Sequence, residues 1–177
     1  SFGYKTYRIL KADGPQDSKV DLISSGNPPT MENEFFRVAL NPDTGWIKSL
    51  FDKVHQREML AAAGNILQAM VDEPESMSAW ELGLKDTFWN IGEDGAKVEV
   101  LENGPVRATI RVRNVFRNSR FIQDIQLYPK IPRLDCRLTT DWQERNIMIK
   151  AAFPAAVKNA NAEFEIPYGF ISRNADG

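Results

Sequence analysis

Residues 106–113 read Val-Arg-Ala-Thr-Ile-Arg-Val-Arg and alternate apolar with polar side chains without a break. Successive side chains of a β-strand point to opposite faces, so this period of two predicts a strand with one apolar and one charged face. The strand is predicted to extend to Phe116. The next segment, residues 121–127, repeats the pattern, and the two segments predict neighbouring strands of one sheet.

Comparable segments recur along the chain, with turn residues between them. Residues 41–45, Asn-Pro-Asp-Thr-Gly, form one such turn, because proline presets φ and glycine accepts positive φ. Roughly nine or ten short strands are expected, and no segment offers the crossover helices that parallel sheets need. The sequence therefore predicts an all-β, antiparallel sandwich. The strands are predicted at residues 34–40, 46–51, 66–71, 97–101, 106–116, 121–127, 134–138, 147–153 and 164–170.

Four further segments complete the predicted organisation. Residues 3–9 alternate aromatic and polar side chains and predict a leading strand, and the polar residues 13–29 predict a loop behind it. Residues 52–63 include an alanine run that favours a short helical turn. Residues 72–90 are predicted to be irregular.

The composition is that of one ordinary globular domain. The 177 residues are 42% hydrophobic, enough for a continuous core, so we expect a single β-sandwich domain over residues 1–177, with 1–30 as its leading strand and loop. The chain has 22 Lys and Arg against 24 Asp and Glu, and this balance argues against nucleic acid or an anionic membrane as the main partner. No run of about 18 apolar residues predicts a membrane span.

Cys136 and His55 are the only residues of their types. A lone cysteine forms no internal disulfide, and in an apolar stretch it is expected to lie in the core. A lone histidine without partner ligands is expected on a surface turn. No Cys and His set has metal-ligand spacing and no nucleophile elbow occurs, so no metal site and no serine or cysteine nucleophile is expected on these grounds.

Two aromatic and acidic segments supply the candidate binding residues. A glycosidase needs two carboxylates about 5–10 Å apart, and Asp141 and Glu144 are candidates, with Trp142 between them to stack on a sugar ring. The competing interpretation packs Trp142 into the core and pairs Glu144 with Arg145 or a neighbouring strand. Trp80 lies in a long loop. It is expected either to face a ligand or another domain, or to anchor the loop to the core.

Arginines follow the polar face of the strand that residues 106–113 begin. Arg107, Arg111 and Arg113 can form a groove for phosphate or carboxylate. Acidic residues on the adjacent strands, including Glu99 and Asp124, offer cross-strand ion pairs instead, and this pairing is the favoured interpretation.

An ordered series of segments resembles the β region of the α-mannosidases of glycoside hydrolase family 38. The series is specific as a set and runs from about Phe2 to Arg173. The resemblance implies an antiparallel supersandwich of the galactose mutarotase-like class. The segments are residues 32–40, 43–52, 64–68, 79–81, 102–108, 123–128, 141–145, 152–154 and 165–169.

The resemblance also implies exo-hydrolysis of α-mannosides with retention, assisted by zinc. In that family the aspartate nucleophile and the His and Asp zinc ligands lie upstream of this region, so none is carried over, and zinc is expected in the parent's catalytic domain. Gln143 and Asn146 stand where bacterial relatives often have histidines, and Ser78 stands where an acidic residue is usual. These departures bear on specificity.

Three functional hypotheses follow. The leading one is a non-catalytic β domain that packs on the upstream catalytic domain and can line the cleft where an α-mannoside or glycan binds. The second is a carbohydrate-binding sandwich without a hydrolase partner, with Trp80, Trp89 or Trp142 as a stacking platform. The third, an epimerase or mutarotase-like enzyme, needs more acid and base groups than His55 supplies. The absence of a signal-like N-terminus and of glycosylation motifs favours a cytoplasmic, bacterial protein.

Overall fold

The computed structural model describes residues 3–4, 6–9, 11, 22–24, 29–158 and 161–174. These residues form strands and connecting turns, and no helix among them could cross a membrane. The strands are β1 (Ile23–Ser24), β2 (Thr30–Glu32), β3 (Phe36–Leu40), β4 (Ile47–Asp52), β5 (Arg57–Glu58), β6 (Ile66–Asp72), β7 (Leu84–Asn90), β8 (Lys97–Asn103), β9 (Ala108–Phe116), β10 (Ser119–Leu127), β11 (Leu134–Asp141), β12 (Ile147–Ala152), β13 (Asn161–Ile166) and β14 (Gly169–Asn174).

The strand predicted from the alternating arginines is β9, which pairs with β8 on one side and β10 on the other. Ile110 and Val112 point into the core and are fully buried, whereas Arg111 and Arg113 lie partly exposed on the opposite face. The alternation in the sequence is therefore the alternation of the two sheet faces. Val106, predicted on the apolar face, precedes the strand and is 74% exposed.

The strands form four antiparallel sheets. A five-stranded sheet has the order β1-β2-β3-β4-β5, and a four-stranded sheet has the order β11-β10-β9-β8. A three-stranded sheet, β12-β6-β7, and the hairpin β13-β14 complete the fold. Every pairing is antiparallel, and the all-β, antiparallel prediction is confirmed.

The main core lies between the five-stranded and the four-stranded sheets. Both sheets contribute aliphatic side chains with almost no exposed surface, and burying one such side chain contributes roughly 1.5–3 kcal/mol. The two layers make the predicted sandwich. The buried residues of this core are Leu22, Ile23, Met31, Val38, Leu40, Ile47, Ala108, Ile110, Val112, Ile125 and Leu127.

A second, smaller core lies between the three-stranded sheet and one end of β10. Leu67 and Ala69 of β6 pack with Ile91 and with Phe121 of β10. The backbone of Gly64 exchanges two hydrogen bonds with Ile47, which ties the start of β6 to the five-stranded sheet. The strand β10 therefore contributes to both cores and fixes the position of one end of the sandwich.

The turn at residues 41–45 has the predicted chemistry. The Gly45 N–H donates to the Asn41 carbonyl at 2.9 Å, and the Asn41 side chain accepts from the Asp43 N–H at 2.8 Å. Gly45 has φ of +72°, and a Cβ atom there would lie 2.2 Å from Val112 Cγ1. Glycine is required because both the backbone conformation and the packing against β9 exclude a side chain.

The helical turn favoured for residues 52–63 is wrong. The segment makes a tight turn and then the short strand β5, which pairs with β4. The Glu58 carboxylate accepts hydrogen bonds from the backbone N–H groups of Leu50, Met59 and Leu60. These bonds hold the chain extended, and they override the helix preference of the alanines that follow.

Two other expectations need correction. Residues 84–90 form β7, so the segment 72–90 is only partly irregular. The strand was not predicted because most of its residues face solvent and show no apolar alternation. The predicted strand over residues 164–170 is instead the hairpin of β13 and β14. Tyr168, with φ of +67°, occupies the turn between them.

The leading segment also differs from the prediction. The described residues among 3–9 belong to no strand. The predicted loop at 13–29 lies mostly outside the described residues, but Ile23–Ser24 within it forms β1, which pairs with β2. The Leu22 and Ile23 N–H groups donate to the Asn103 side chain, so β1 is fastened to the four-stranded sheet as well.

Candidate functional site

The segment that joins β11 to β12 folds against the turn between β9 and β10. Trp142 packs edge to face on Phe121, with 6.2 Å between ring centroids and 77° between ring planes. The residue is nevertheless 38% exposed. The core contact of the competing interpretation is therefore present, while the stacking of Trp142 on a sugar stays a prediction that its exposed surface permits.

Glu144 is used to hold the β9–β10 turn. Its Oε1 atom accepts a hydrogen bond from the Asn118 N–H at 3.0 Å and another from the Ser119 hydroxyl at 3.0 Å. The same hydroxyl accepts from the Gln143 N–H at 2.9 Å, and Ser119 is fully buried. Glu144 thus bonds to a neighbouring strand rather than to Arg145, and part of its hydrogen-bonding capacity is committed to the fold.

Asp141 is the last residue of β11 and is exposed. Its Oδ1 atom accepts a hydrogen bond from the Gln143 side chain at 2.8 Å. Asp141, Trp142 and Glu144 therefore lie at one end of the sandwich, but each faces a different local partner.

Trp80 is placed elsewhere, in the loop between β6 and β7. The base of this loop is closed by the Gly83 N–H, which donates to Asp72 Oδ1 at 2.7 Å, and by the Glu73 N–H, which donates to the Gly83 carbonyl at 2.9 Å. Trp80 is 86% exposed and its ring makes no aromatic contact in the described part of the chain. The loop is held by its backbone, and Trp80 does not anchor it to the core.

A stack of side chains lies at the tip of the β9–β10 hairpin. The Trp89 and Phe116 ring centroids are 5.5 Å apart, and the Arg117 guanidinium lies 4.7 Å from the Trp89 centroid and 5.1 Å from that of Phe116. With the turn at residues 90–95, these groups line a cavity of about 220 Å³. Arg117 covers a face of Trp89, so this candidate platform is partly occupied by the protein itself.

The arginines of the four-stranded sheet form the predicted ion pairs. Arg111 donates to both oxygens of Asp124, at 2.6 and 2.8 Å, and Arg113 donates to Glu99 at 3.0 Å. The Arg111 guanidinium lowers the pKa of Asp124, and the Arg113 guanidinium lowers the pKa of Glu99.

Arg107 has a partner that the sequence did not identify. It donates to both oxygens of Glu102, at 2.7 and 2.8 Å, and the Thr109 hydroxyl adds a third hydrogen bond at 2.6 Å. These bonds lower the pKa of Glu102 from 4.5 to about 2. The bulge between Val100 and Glu102 in β8 shifts the register and brings Glu102 opposite Thr109.

His55 lies on a surface turn, as predicted. Its Nδ1 atom is 2.7 Å from Asp52 Oδ2, and its side chain is largely exposed. The His55 backbone N–H and then its ring lower the pKa of Asp52. No three His, Cys, Asp or Glu side chains cluster to hold a metal among the described residues.

Cys136 does not lie in the core, contrary to expectation. It stands exposed on β11, the edge strand of its sheet. Although the residue is exposed, the atoms around its sulfur desolvate the thiol, and this, with a contribution from Asp135, raises its pKa to about 11. The prediction failed because the apolar face of an edge strand need not be covered within the same chain.

Comparison with known proteins identifies relatives over nearly the whole chain. Residues 31–177 match the family model "Glycosyl hydrolases family 38 C-terminal domain". The chain is 29% identical to the human "Alpha-mannosidase 2C1" over 164 residues, covering 90% of the chain and 16% of that protein. It is 24% identical to "Alpha-mannosidase G" of Dictyostelium discoideum over 181 residues, covering 97% of the chain and 15% of that protein.

A solved structure has the same fold. The crystal structure of an alpha-mannosidase from Enterococcus faecalis V583 superposes with a TM-score of 0.71 at 15% identity, over 85% of this chain and 20% of that one. The chain therefore spans about a fifth or less of the length of these relatives.

Proposed function

The chain belongs to the C-terminal domain family of the family 38 glycosyl hydrolases, and on that premise we propose that it is the non-catalytic β domain of a retaining, zinc-dependent α-mannosidase. In this proposal the domain packs on the catalytic domain of the same polypeptide and borders the cleft that takes an α-mannoside or glycan. The observation that carries the proposal is an apolar surface that the described residues leave uncovered.

That surface begins on β11. In the register of the four-stranded sheet, Leu138 lies opposite Gln123 and Cys136 lies opposite Ile125. Ile125 is fully buried, yet Leu138 is 45% exposed although it shares the core-facing side of the sheet. An edge strand that presents its apolar face to solvent is a docking surface for another part of a protein.

The last strands carry a second apolar surface. Phe164 of β13 and Ile171 of β14 lie opposite each other on one face of their hairpin, and both are exposed. A two-stranded hairpin is marginally stable alone in water, so its apolar face favours a covering partner. We refer to the exposed side chains of these two surfaces, Cys136 and Leu138 on β11 and Phe164 and Ile171 on the hairpin, together as the uncovered face.

The end of β11 supports the proposal that the domain borders the substrate cleft. Trp142 keeps part of its ring open beside the exposed Asp141 carboxylate, and an aromatic face with nearby hydrogen-bond acceptors suits a sugar ring. Glu144 positions this segment through the β9–β10 turn. The described residues do not form a zinc site, so no step of the reaction is assigned to them.

The proposal predicts that the isolated chain is catalytically silent. Purified chain with added zinc is expected to give no hydrolysis of an aryl α-mannoside above the rate without protein, whereas the complete polypeptide hydrolyses it. Turnover by the isolated chain would sink the assignment of a non-catalytic domain.

A carbohydrate-binding module without a hydrolase partner is the second candidate, and the exposed ring of Trp80 favours it. Calorimetry with mannose and mannobiose separates the two ideas. Saturable heat that the change Trp80→Ala abolishes would support a binding module. No heat at millimolar sugar would exclude that module.

A further inference from the structure

The outer face of the four-stranded sheet, which the proposed function does not use, carries a depression of about 420 Å³. Besides the buried residues Asn114 and Phe121, its lining has three cationic and two apolar residues of the outer face. They are Lys97, Arg113 and Arg120, with Val115 and Ile122. We call this depression the Arg120 cleft.

The strand register explains why these side chains meet. Lys97 of β8 lies opposite Arg113 of β9, which in turn lies opposite Ile122 of β10. One step along the sheet, Val115 lies opposite Arg120. Residues opposite each other in register share a face, so three positive charges surround an apolar patch on one side of the sheet.

The carboxylates of the sheet leave this end with an excess of positive charge. Glu99 accepts from Arg113 at 3.0 Å and lies 3.5 Å from the Lys97 ammonium, so it is shared between two cations. Arg120 forms no hydrogen bond or ion pair with another side chain in the described part of the chain.

Among the described residues, Arg120 is not paired with its acidic neighbour across the sheet. Asp141 is its register neighbour on β11 and is the acidic residue suited to pair with it. The Asp141 carboxylate instead accepts from the Gln143 side chain. Arg107 and Arg111, farther along the same sheet, each bind a carboxylate through two hydrogen bonds. The unpaired guanidinium of Arg120 therefore distinguishes the cleft from the rest of this face.

We propose that the Arg120 cleft binds a tetrahedral oxyanion, a phosphate or sulfate group. The planar guanidinium of Arg120 offers parallel N–H donors to two oxygens of such a group, and Lys97 supplies a compact point charge. The apolar side chains of Val115 and Ile122 line the depression beside these donors. This inference is independent of the proposed function and of the uncovered face.

Titration of the whole chain with inorganic phosphate, followed by calorimetry and by backbone amide shifts of β9 and β10, tests the proposal. Sodium chloride at matched ionic strength measures simple screening. We expect saturable binding that Arg120→Gln weakens about tenfold, because one charge-assisted hydrogen-bonded group is lost. Circular dichroism establishes that each variant keeps its fold.

Arg137→Gln is the matched control, since Arg137 is an exposed arginine on the same outer face but outside the cleft lining. It is expected to leave the phosphate affinity unchanged. Mannose 6-phosphate that binds tighter than phosphate would support a sugar ester as the ligand, and equal affinities would support the free oxyanion. A response that sodium chloride reproduces, or that the two variants reduce equally, would overturn the oxyanion site.

Discussion

Glu144 is the residue whose role the structure changes most. It accepts hydrogen bonds from the Asn118 N–H and from the buried Ser119 hydroxyl. Removal of the carboxylate leaves a buried hydroxyl without its acceptor, which costs about 1–3 kcal/mol. We therefore predict that Glu144→Ala lowers the free energy of unfolding by about 1–3 kcal/mol. Urea denaturation followed by fluorescence measures the change.

Asp141→Ala provides the matched control for Glu144. The Asp141 carboxylate is exposed and, among the described residues, accepts only from the nearby Gln143 side chain, so its loss is expected to change the unfolding free energy by less than about 0.5 kcal/mol. Equal destabilisation by the two substitutions would contradict the structural role assigned to Glu144.

The sequence could predict which residues belong to the candidate site, but not what those residues contact. Asp141, Trp142 and Glu144 are close in the chain and their aromatic and acidic character is visible there. Their partners are not visible, because Ser119 lies 25 residues from Glu144 and meets it only through the β9–β10 turn. The exposure of Trp80 could not be predicted either. A loop tryptophan anchors its loop or protrudes from it depending on contacts with residues distant in the chain.

At the scale of elements, the β8–β9 hairpin gains stability from an acid-sensitive cluster. Arg107 and Thr109 lower the pKa of Glu102 from 4.5 to about 2. A carboxyl with a depressed folded-state pKa stabilises the fold above its unfolded pKa, and this contribution is lost as the pH falls through the folded pKa. The loss is therefore expected between about pH 4.5 and about pH 2.

We predict that Glu102→Gln flattens the stability profile across that window. The thermal unfolding midpoint of the wild-type chain should fall between pH 4.5 and pH 2 by more than that of the variant, because the variant has no titrating group at this position. The change Glu34→Gln replaces an exposed carboxyl that forms no hydrogen bond within the described residues. This control should keep the wild-type slope, and a slope reduced as much as in Glu102→Gln would refute the prediction.

The elements that sequence predicted best have strict alternation and one buried face. In β9 and β10 the apolar residues that recur at every second position in the sequence are the buried ones. The strand β7 escaped prediction because most of its residues face solvent, so no apolar alternation appears. The segment after β4 was misread because the carboxylate of Glu58 captures backbone donors, which is a tertiary effect that helix propensity does not include.

At the scale of the whole molecule, the uncovered face is the feature on which the proposed role rests. The main core is closed between two sheets, yet Leu138 and the aromatic residues of the last hairpin remain exposed. The all-β class followed from the strand pattern. The uncovered face did not, because the sequence shows which residues are apolar but not which of them another layer covers.

Burial of the uncovered face in the complete polypeptide is the central claim, and thiol labelling at Leu138→Cys tests it most directly. Val54→Cys, in the exposed β4–β5 turn, is the control, with both variants in a Cys136→Ala background. Peptide-level mass spectrometry measures alkylation in the isolated chain and in the complete polypeptide. We predict that residue 138 reacts more than about tenfold slower in the complete polypeptide while residue 54 keeps its rate. Equal rates at residue 138 in the two proteins would contradict the claim.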